Sequence, residues 1–160
     1  MQANITFGSH GTPLHIIDKP EFQTWLKEQP QTTQSWVNST GFSGAGLSLI
    51  PGADGQLSQA IYVLDNPTEL FACADLAKVL PKQAFQLIAE TDLQLSVAIA
   101  FGLAQYSFGR YIASENKLAQ LVINDENVVK NAHKFIDATF IVRDMINTPA
   151  SDMMPEHMSK

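Results

Sequence analysis

Short apolar runs alternate along the chain with segments in which apolar residues have helical spacing. Five runs, bounded mostly by Gly, Pro, Asn or Asp, predict buried strands at 14–17, 47–50, 60–64, 85–88 and 118–123. Apolar residues three or four positions apart predict helices at 20–29, around Trp36 and Val37, and at 68–80, 93–106 and 125–147. Helices placed between strands predict the α/β class, with a mixed β-sheet flanked by helices on both faces.

The segment 46–65 is predicted to form a β-hairpin, because turn residues at 51–55 separate two apolar runs. Just upstream, Gly41, Gly44 and Gly46 have the spacing G-x-x-G-x-G. A dinucleotide site needs such glycines between a strand and a following helix, whereas these precede a strand. We interpret them as a connection into the hairpin, and a phosphate cradle is the alternative.

The last predicted helix changes character along its length. Asp125 is its expected cap and Glu126 lies in its first turn, where carboxylates are favoured. From Ala138 onward, apolar residues cover most of the helix circumference, which one small domain cannot easily bury. We therefore predict that residues 138–158 contact a second domain or subunit. The alternative is a helix that is simply central in the core.

Composition indicates one domain that is neither a nucleic-acid-binding nor a membrane protein. The 160 residues are 45% hydrophobic and 16% charged, with a formal net charge of −6, and the ten basic residues are scattered. The longest uncharged stretch, 93–109, is interrupted by Gln and Ser and is too short for a bilayer span, so it predicts a buried helix. The single cysteine, Cys73, requires no oxidising compartment, and we expect a cytoplasmic location.

The residues on their own form no recognisable catalytic or metal site. No two histidines have the i, i+4 spacing of a zinc-binding helix, so His10, His15, His133 and His157 are interpreted as surface or capping residues. Cys73, among apolar neighbours, is interpreted as an inert buried thiol. We therefore assign no catalytic, metal-binding or ligand-binding residue in this chain.

A resemblance to a known family enters through the C-terminal stretch 143–158. It reads R-D-M-I-N-T-P-A-S-D-M-M-P-E-H-M, and it resembles the interdomain segment of the cytosol (leucyl) aminopeptidase family, which reads R-D-L-x-N-T-P-x-N-x-x-T-P-E-x-L. Ser151 and Met154 depart from that pattern. The segments 15–18, 51–55 and 101–106 look like the N-terminal domain of proteobacterial members.

The resemblance implies a two-domain metallopeptidase that removes N-terminal amino acids from peptides and assembles as a homo-hexamer. Two divalent cations, zinc or manganese, would lie in the C-terminal catalytic domain, and none of the metal-ligand motifs occurs in these residues. The N-terminal domain would be a three-layer sandwich similar to a macro domain. It would serve subunit packing and access to the active sites, and the chain alone would be inactive.

We accordingly divide the chain into an α/β domain at 1–124, its long C-terminal helix at 125–148, and the start of the catalytic domain at 149–160. The residues expected to contact the catalytic domain or another subunit are Phe140, Ile141, Met145, Ile146, Asn147, Thr148 and Pro149. The alternative function is a free-standing macro-like module that binds an ADP-ribose-type ligand.

Overall fold

The computed structural model describes residues 3–69, 71–108 and 118–149. In these ranges the strands are β1 (Ile5–Phe7), β2 (Thr12–Asp18), β3 (Gly46–Pro51), β4 (Leu57–Leu64), β5 (Ala84–Ile88) and β6 (Gln120–Ile123). The helices are α1 (Lys19–Glu28), α2 (Gln31–Ser39), α3 (Leu76–Val79), α4 (Thr91–Ala104) and α5 (Glu126–Asn147).

The six strands form one mixed sheet in the order β1-β6-β5-β2-β4-β3. All neighbours are parallel except β3 and β4, which form the predicted antiparallel hairpin. Its turn is closed by a hydrogen bond from the Gly52 amide to the Gln56 carbonyl, and Gly55 has a φ of +76°, which favours glycine. The predicted sheet class is confirmed.

Helices cover both faces of the sheet because successive side chains of a strand point in opposite directions. In β2, Leu14 and Ile16 belong to the larger core cluster, which also contains residues of α3, α4 and α5. Ile17 belongs to the smaller cluster, with Phe22 and Leu26 of α1. The domain therefore has three layers, with α1 and α2 on one side and α3, α4 and α5 on the other.

Helix α4 is the buried helix that the sequence predicts, with no exposed residue from Leu93 to its end. Its backbone lies close to α5 at Gly102, where an added Cβ would collide with the Ile136 side chain. The absence of a side chain at Gly102 therefore lets the two helices approach closely without displacing Ile136. None of the helices within the described ranges has the length and apolarity that a bilayer crossing demands.

The helix predicted at 68–80 is much shorter in the structure, where α3 covers only Leu76–Val79. The amide and hydroxyl of Thr68 donate to the Asn66 side-chain oxygen at 3.2 and 2.6 Å, so Thr68 closes a local turn and caps no helix. Backbone hydrogen bonds between residues three apart follow, such as Ala74 to Phe71. Among the described residues of this segment, hydrogen bonds between residues four apart occur only in the region of α3.

Strand β1 is an element that the sequence pattern did not reveal. It has three residues and pairs with β6, in a register that joins Ile5 to Leu121. At the other end of the chain, Asp125 caps α5 as predicted. Its carboxylate accepts hydrogen bonds from the amides of Asn127 and Val128 at 2.8 and 3.2 Å.

Candidate interdomain surface

Helix α5 presents two different apolar sides, and only one of them is covered in the described structure. One side packs into the core through Val129, Ala132, Ile136 and Phe140. The opposite side of the C-terminal half is exposed and is called here the apolar face of α5; it consists of Ala138, Ile141, Val142, Met145 and Ile146. Ile146 is 76% exposed, which is the largest value among the exposed large hydrophobic residues.

The structure separates the predicted contact residues into different environments. Ile141, Met145, Ile146, Asn147 and Pro149 are exposed and Thr148 is half-buried. Phe140 is 3% exposed and lies within the core of this domain, so its surface is already covered here. The contact that we predict would therefore be made by the residues around Phe140 on the outer side of the helix.

A polar cluster holds the C-terminal half of α5 against the end of α4; we call it the Tyr106 cluster, and it comprises Tyr106, Arg143, Asp144 and Asn147. The Tyr106 hydroxyl donates to the Asp144 carboxylate at 2.7 Å and accepts from the Asn147 side-chain amide at 3.0 Å. The Arg143 guanidinium lies 5.2 Å from the centroid of the Tyr106 ring and donates to the Leu103 carbonyl at 3.0 Å.

The Tyr106 hydroxyl is a donor at neutral pH, and Thr148 closes the end of the helix beside the cluster. The Tyr106 phenol is protonated at neutral pH because the ordinary pKa of tyrosine is about 10, and partial desolvation and the hydrogen bond to Asp144 raise this pKa further. The Thr148 hydroxyl donates to the Asp144 carbonyl at 2.7 Å and closes the last turn. The two segments that form this cluster belong to 101–106 and 143–158, which both resemble the aminopeptidase family, but nothing in the sequence pattern places them in contact.

A second site is a crevice of about 210 Å³ at the C-terminal ends of β2 and β5, between helices that leave to opposite faces of the sheet. We call it the switch-point crevice; it is lined by His15, Ile16, Ile17, Glu21, Trp25, Ile88, Ala89 and Glu90. The rings of His15 and Trp25 are 5.4 Å apart. Burial lowers the pKa of His15, so its imidazole is neutral at neutral pH.

Among the described residues, the histidines show no arrangement suited to catalysis or metal binding. His10 is exposed, but His15 and His133 are half-buried, so the interpretation of all histidines as surface or capping residues is wrong for these two. His133 Nε2 lies 3.0 Å from the Ile5 carbonyl oxygen and joins α5 to β1. His157 lies outside the described residues.

Neither the cysteine nor the potential metal-ligating side chains among the described residues form a reactive site. Cys73 is 2% exposed, and burial raises its pKa to about 12, which suits the predicted inert thiol. Across the described ranges, no three His, Cys, Asp or Glu side chains converge as metal ligands would.

Comparison with known families decides what this domain is. The family model for the N-terminal domain of M17 aminopeptidases matches residues 12–124. The chain belongs to the M17 aminopeptidase family. The matched region extends from the start of β2 to the end of β6, and thus covers most of the sheet and the helices α1 to α4.

Solved structures agree with this assignment. The cytosol aminopeptidase of Coxiella burnetii matches with a TM-score of 0.84 and 30% identity, over 95% of this chain and 35% of that one. The bottromycin maturation enzyme BotP (TM-score 0.60, 16% identity, 98% of this chain and 35% of that one) shares the fold. A tomato leucine aminopeptidase mutant (TM-score 0.62, 15% identity, 97% of this chain and 40% of that one) shares it too.

The chain thus spans between 35 and 40% of the length of these solved structures. No curated protein gives a significant match. The M17 match does not favour the alternative of a free-standing ADP-ribose module. The switch-point crevice, where such a ligand would bind, also has two glutamates and no lysine or arginine among its described lining residues, and carboxylates repel a pyrophosphate.

Proposed function

We propose that this chain is the non-catalytic N-terminal domain of a leucyl-type aminopeptidase, a metallopeptidase that removes N-terminal amino acids from peptides. The observation that carries the proposal is the family match over residues 12–124, together with the TM-score of 0.84 to a cytosol aminopeptidase. The solved relative has a much longer chain, which leaves ample length for a separate catalytic domain. The protein would work in the cytoplasm on peptide substrates.

The role proposed for the domain itself is to pack against its own catalytic domain and against neighbouring subunits of a homo-hexamer, and so to shape access to the active sites. The apolar face of α5 supports this role, because an uncharged helix face of this kind is stabilised when another protein surface excludes water from it. The Tyr106 cluster supports it too, because it fixes the direction in which the chain leaves α5.

The two divalent cations of such an enzyme, zinc or manganese, are proposed to lie in the catalytic domain. The described residues of this chain do not fit them, since no three carboxylate, imidazole or thiolate groups converge. When bound elsewhere in the protein, the ions would activate a water molecule for attack on the peptide bond. No step of that reaction is assigned to a residue of this chain.

A comparison of two proteins tests the catalytic part of this proposal. One is the 160-residue chain, and the other is the product of the reading frame extended past Lys160 to its stop codon. Both are assayed for hydrolysis of leucinamide with added manganese or zinc. We expect turnover from the extended protein alone, and metal-dependent turnover by the 160-residue chain would overturn the proposal.

The packing role is tested in the extended protein by Ile146→Lys, with Asp137→Lys as the control. Both residues are exposed on α5, but Asp137 lies outside the apolar face. We expect Ile146→Lys to shift the assembly toward smaller species in light scattering or to lower the unfolding temperature, and Asp137→Lys to do neither. Equal behaviour of the two variants would contradict a packing role for this face.

A further inference from the structure

The switch-point crevice lies where open α/β sheets bind their ligands. Strand β2 has β4 on one side and β5 on the other. Helix α1 follows β2 and packs on one face of the sheet, whereas α4 follows β5 and packs on the opposite face. A crevice outside the carboxyl ends of strands at such a point is the general ligand position of this architecture. Here His15 stands beside Ile88 in the register of β2 and β5.

The charged groups around the crevice determine which ligand charge it favours. Glu21 lies in the first turn of α1, and Glu90 is the N-cap residue of α4. Each helix N-terminus contributes about half a positive charge, and each carboxylate contributes a full negative one. The sum is about one negative charge, and no lysine or arginine is among the described lining residues. This balance of charges favours a cation over an anion in the crevice.

The remaining lining residues favour a ligand with a small apolar part. The indole of Trp25 is half-buried, and Ile88 is 40% exposed at the same crevice. An aromatic face attracts a cation, and an exposed isoleucine gains when an apolar group covers it. The volume of about 210 Å³ is small for a ligand pocket and limits the ligand to the size of an amino acid side chain.

From this geometry we propose that the switch-point crevice binds a small organic monocation, an alkylammonium group whose apolar part contacts Trp25 and Ile88 while its charge faces Glu21 and Glu90. This site is independent of the packing role proposed for α5, which lies on other elements. All of the described lining residues belong to this chain.

Three probes of nearly equal shape test the proposal on the 160-residue chain: n-butylammonium, 1-butanol and butyrate, which carry charges of +1, 0 and −1. Binding is followed by NMR through the indole N–H signal of Trp25. Trp36 is an internal control, because its indole donates to the Leu49 carbonyl at a different place in the fold. We expect saturable shifts of Trp25 alone, with n-butylammonium binding most tightly and butyrate least tightly.

The double variant Glu21→Gln, Glu90→Gln removes the two charges with little change of shape. We expect its Kd for n-butylammonium to rise about three- to tenfold, the effect of two solvent-exposed charge contacts. The control Glu28→Gln lies at the far end of α1, is also exposed, and should leave the Kd unchanged. The proposal is overturned if n-butylammonium gives no saturable shift, if butanol or butyrate binds equally well, or if the double variant binds like the parent.

Discussion

The hydroxyl of Tyr106 donates a hydrogen bond of 2.7 Å to the carboxylate of Asp144, and so joins the end of α4 to the last turns of α5. The two residues are 38 positions apart in the sequence. The same hydroxyl accepts from Asn147, and its ring packs against Phe140 with centroids 5.2 Å apart. These contacts hold the C-terminal half of α5 in place, while its apolar face stays exposed.

Replacing Tyr106 by Phe should loosen the end of α5. The ring contacts remain, but both hydrogen bonds of the hydroxyl are lost, so the last turns should open more often. We expect the amides of residues 143–148 to exchange hydrogen several-fold faster in hydrogen-exchange NMR. Tyr62→Phe is the control, because it removes a hydroxyl that donates a hydrogen bond to the Ala72 carbonyl, away from α5. Unchanged exchange in the Tyr106 variant would show that the hydroxyl does not hold the helix end.

Replacing Gly102 by Ala should destabilise the domain, although Gly→Ala usually stabilises a helix by about 1 kcal/mol. The new Cβ would overlap Ile136, which is fully buried, and overpacking costs about 1–3 kcal/mol. We expect a net loss of about 1 kcal/mol in urea unfolding. The second substitution Ile136→Val removes the colliding methyl group, so the double variant should lose less than the sum of the single losses. Strict additivity would refute the predicted collision.

Substitution should affect stability strongly at Phe140 and weakly at Ile146, although both apolar residues lie in the C-terminal half of α5. Phe140→Ala creates a cavity in the core and should cost about 3–5 kcal/mol of unfolding free energy. In the 160-residue chain, Ile146→Lys should change that free energy by at most about 0.5 kcal/mol. It should, however, reduce binding of a dye that reports exposed apolar surface. A large loss of stability from Ile146→Lys would mean that its side chain is covered within the domain.

The stability of the domain should fall as the pH drops below about 6.5, in part because of His15. In the unfolded chain His15 has the ordinary pKa of 6.5, and burial lowers its pKa in the folded domain. Between the folded-state and unfolded-state pKa values, the unfolded chain therefore binds more protons than the folded one. Stability is then full above pH 6.5 and declines down to the folded-state pKa. His15→Gln should flatten this decline in urea unfolding measured across pH. The control substitution His10→Gln, at an exposed position, should leave the decline of stability with pH unchanged. Identical pH profiles for His15→Gln and the parent would contradict the prediction.

Features that depend on neighbouring residues were predictable from the sequence. The Asp125 cap involves amides two and three positions away, and the hairpin turn is closed by Gly52 and Gln56. Helix α4 was predicted as buried because it is apolar on every side. The resemblance of 143–158 to an aminopeptidase segment gave the family, which the match over residues 12–124 confirms.

Features that depend on distant partners were not predictable. Strand β1 has too few residues for a periodic pattern, and it exists because β6 lies beside it. One local feature was missed as well: the segment before α3 has helical apolar spacing, yet the Asn66 side chain, only two positions away, accepts hydrogen bonds from the amide and hydroxyl of Thr68, and the chain turns there. The half-burial of His15 follows from α1 folding back over β2, which places Trp25 beside it.

The sequence by itself determined the α/β class, the hairpin, the ends of α5 and the family, because each is specified by residue types at short spacing. Only the tertiary structure decided which side of α5 is covered, and it placed Phe140 inside and Ile146 outside. It also brought Tyr106 to Asp144, and Trp25 to His15. The physical reason is that side-chain burial and hydrogen bonding depend on which elements become neighbours, and packing of the whole chain sets those neighbours.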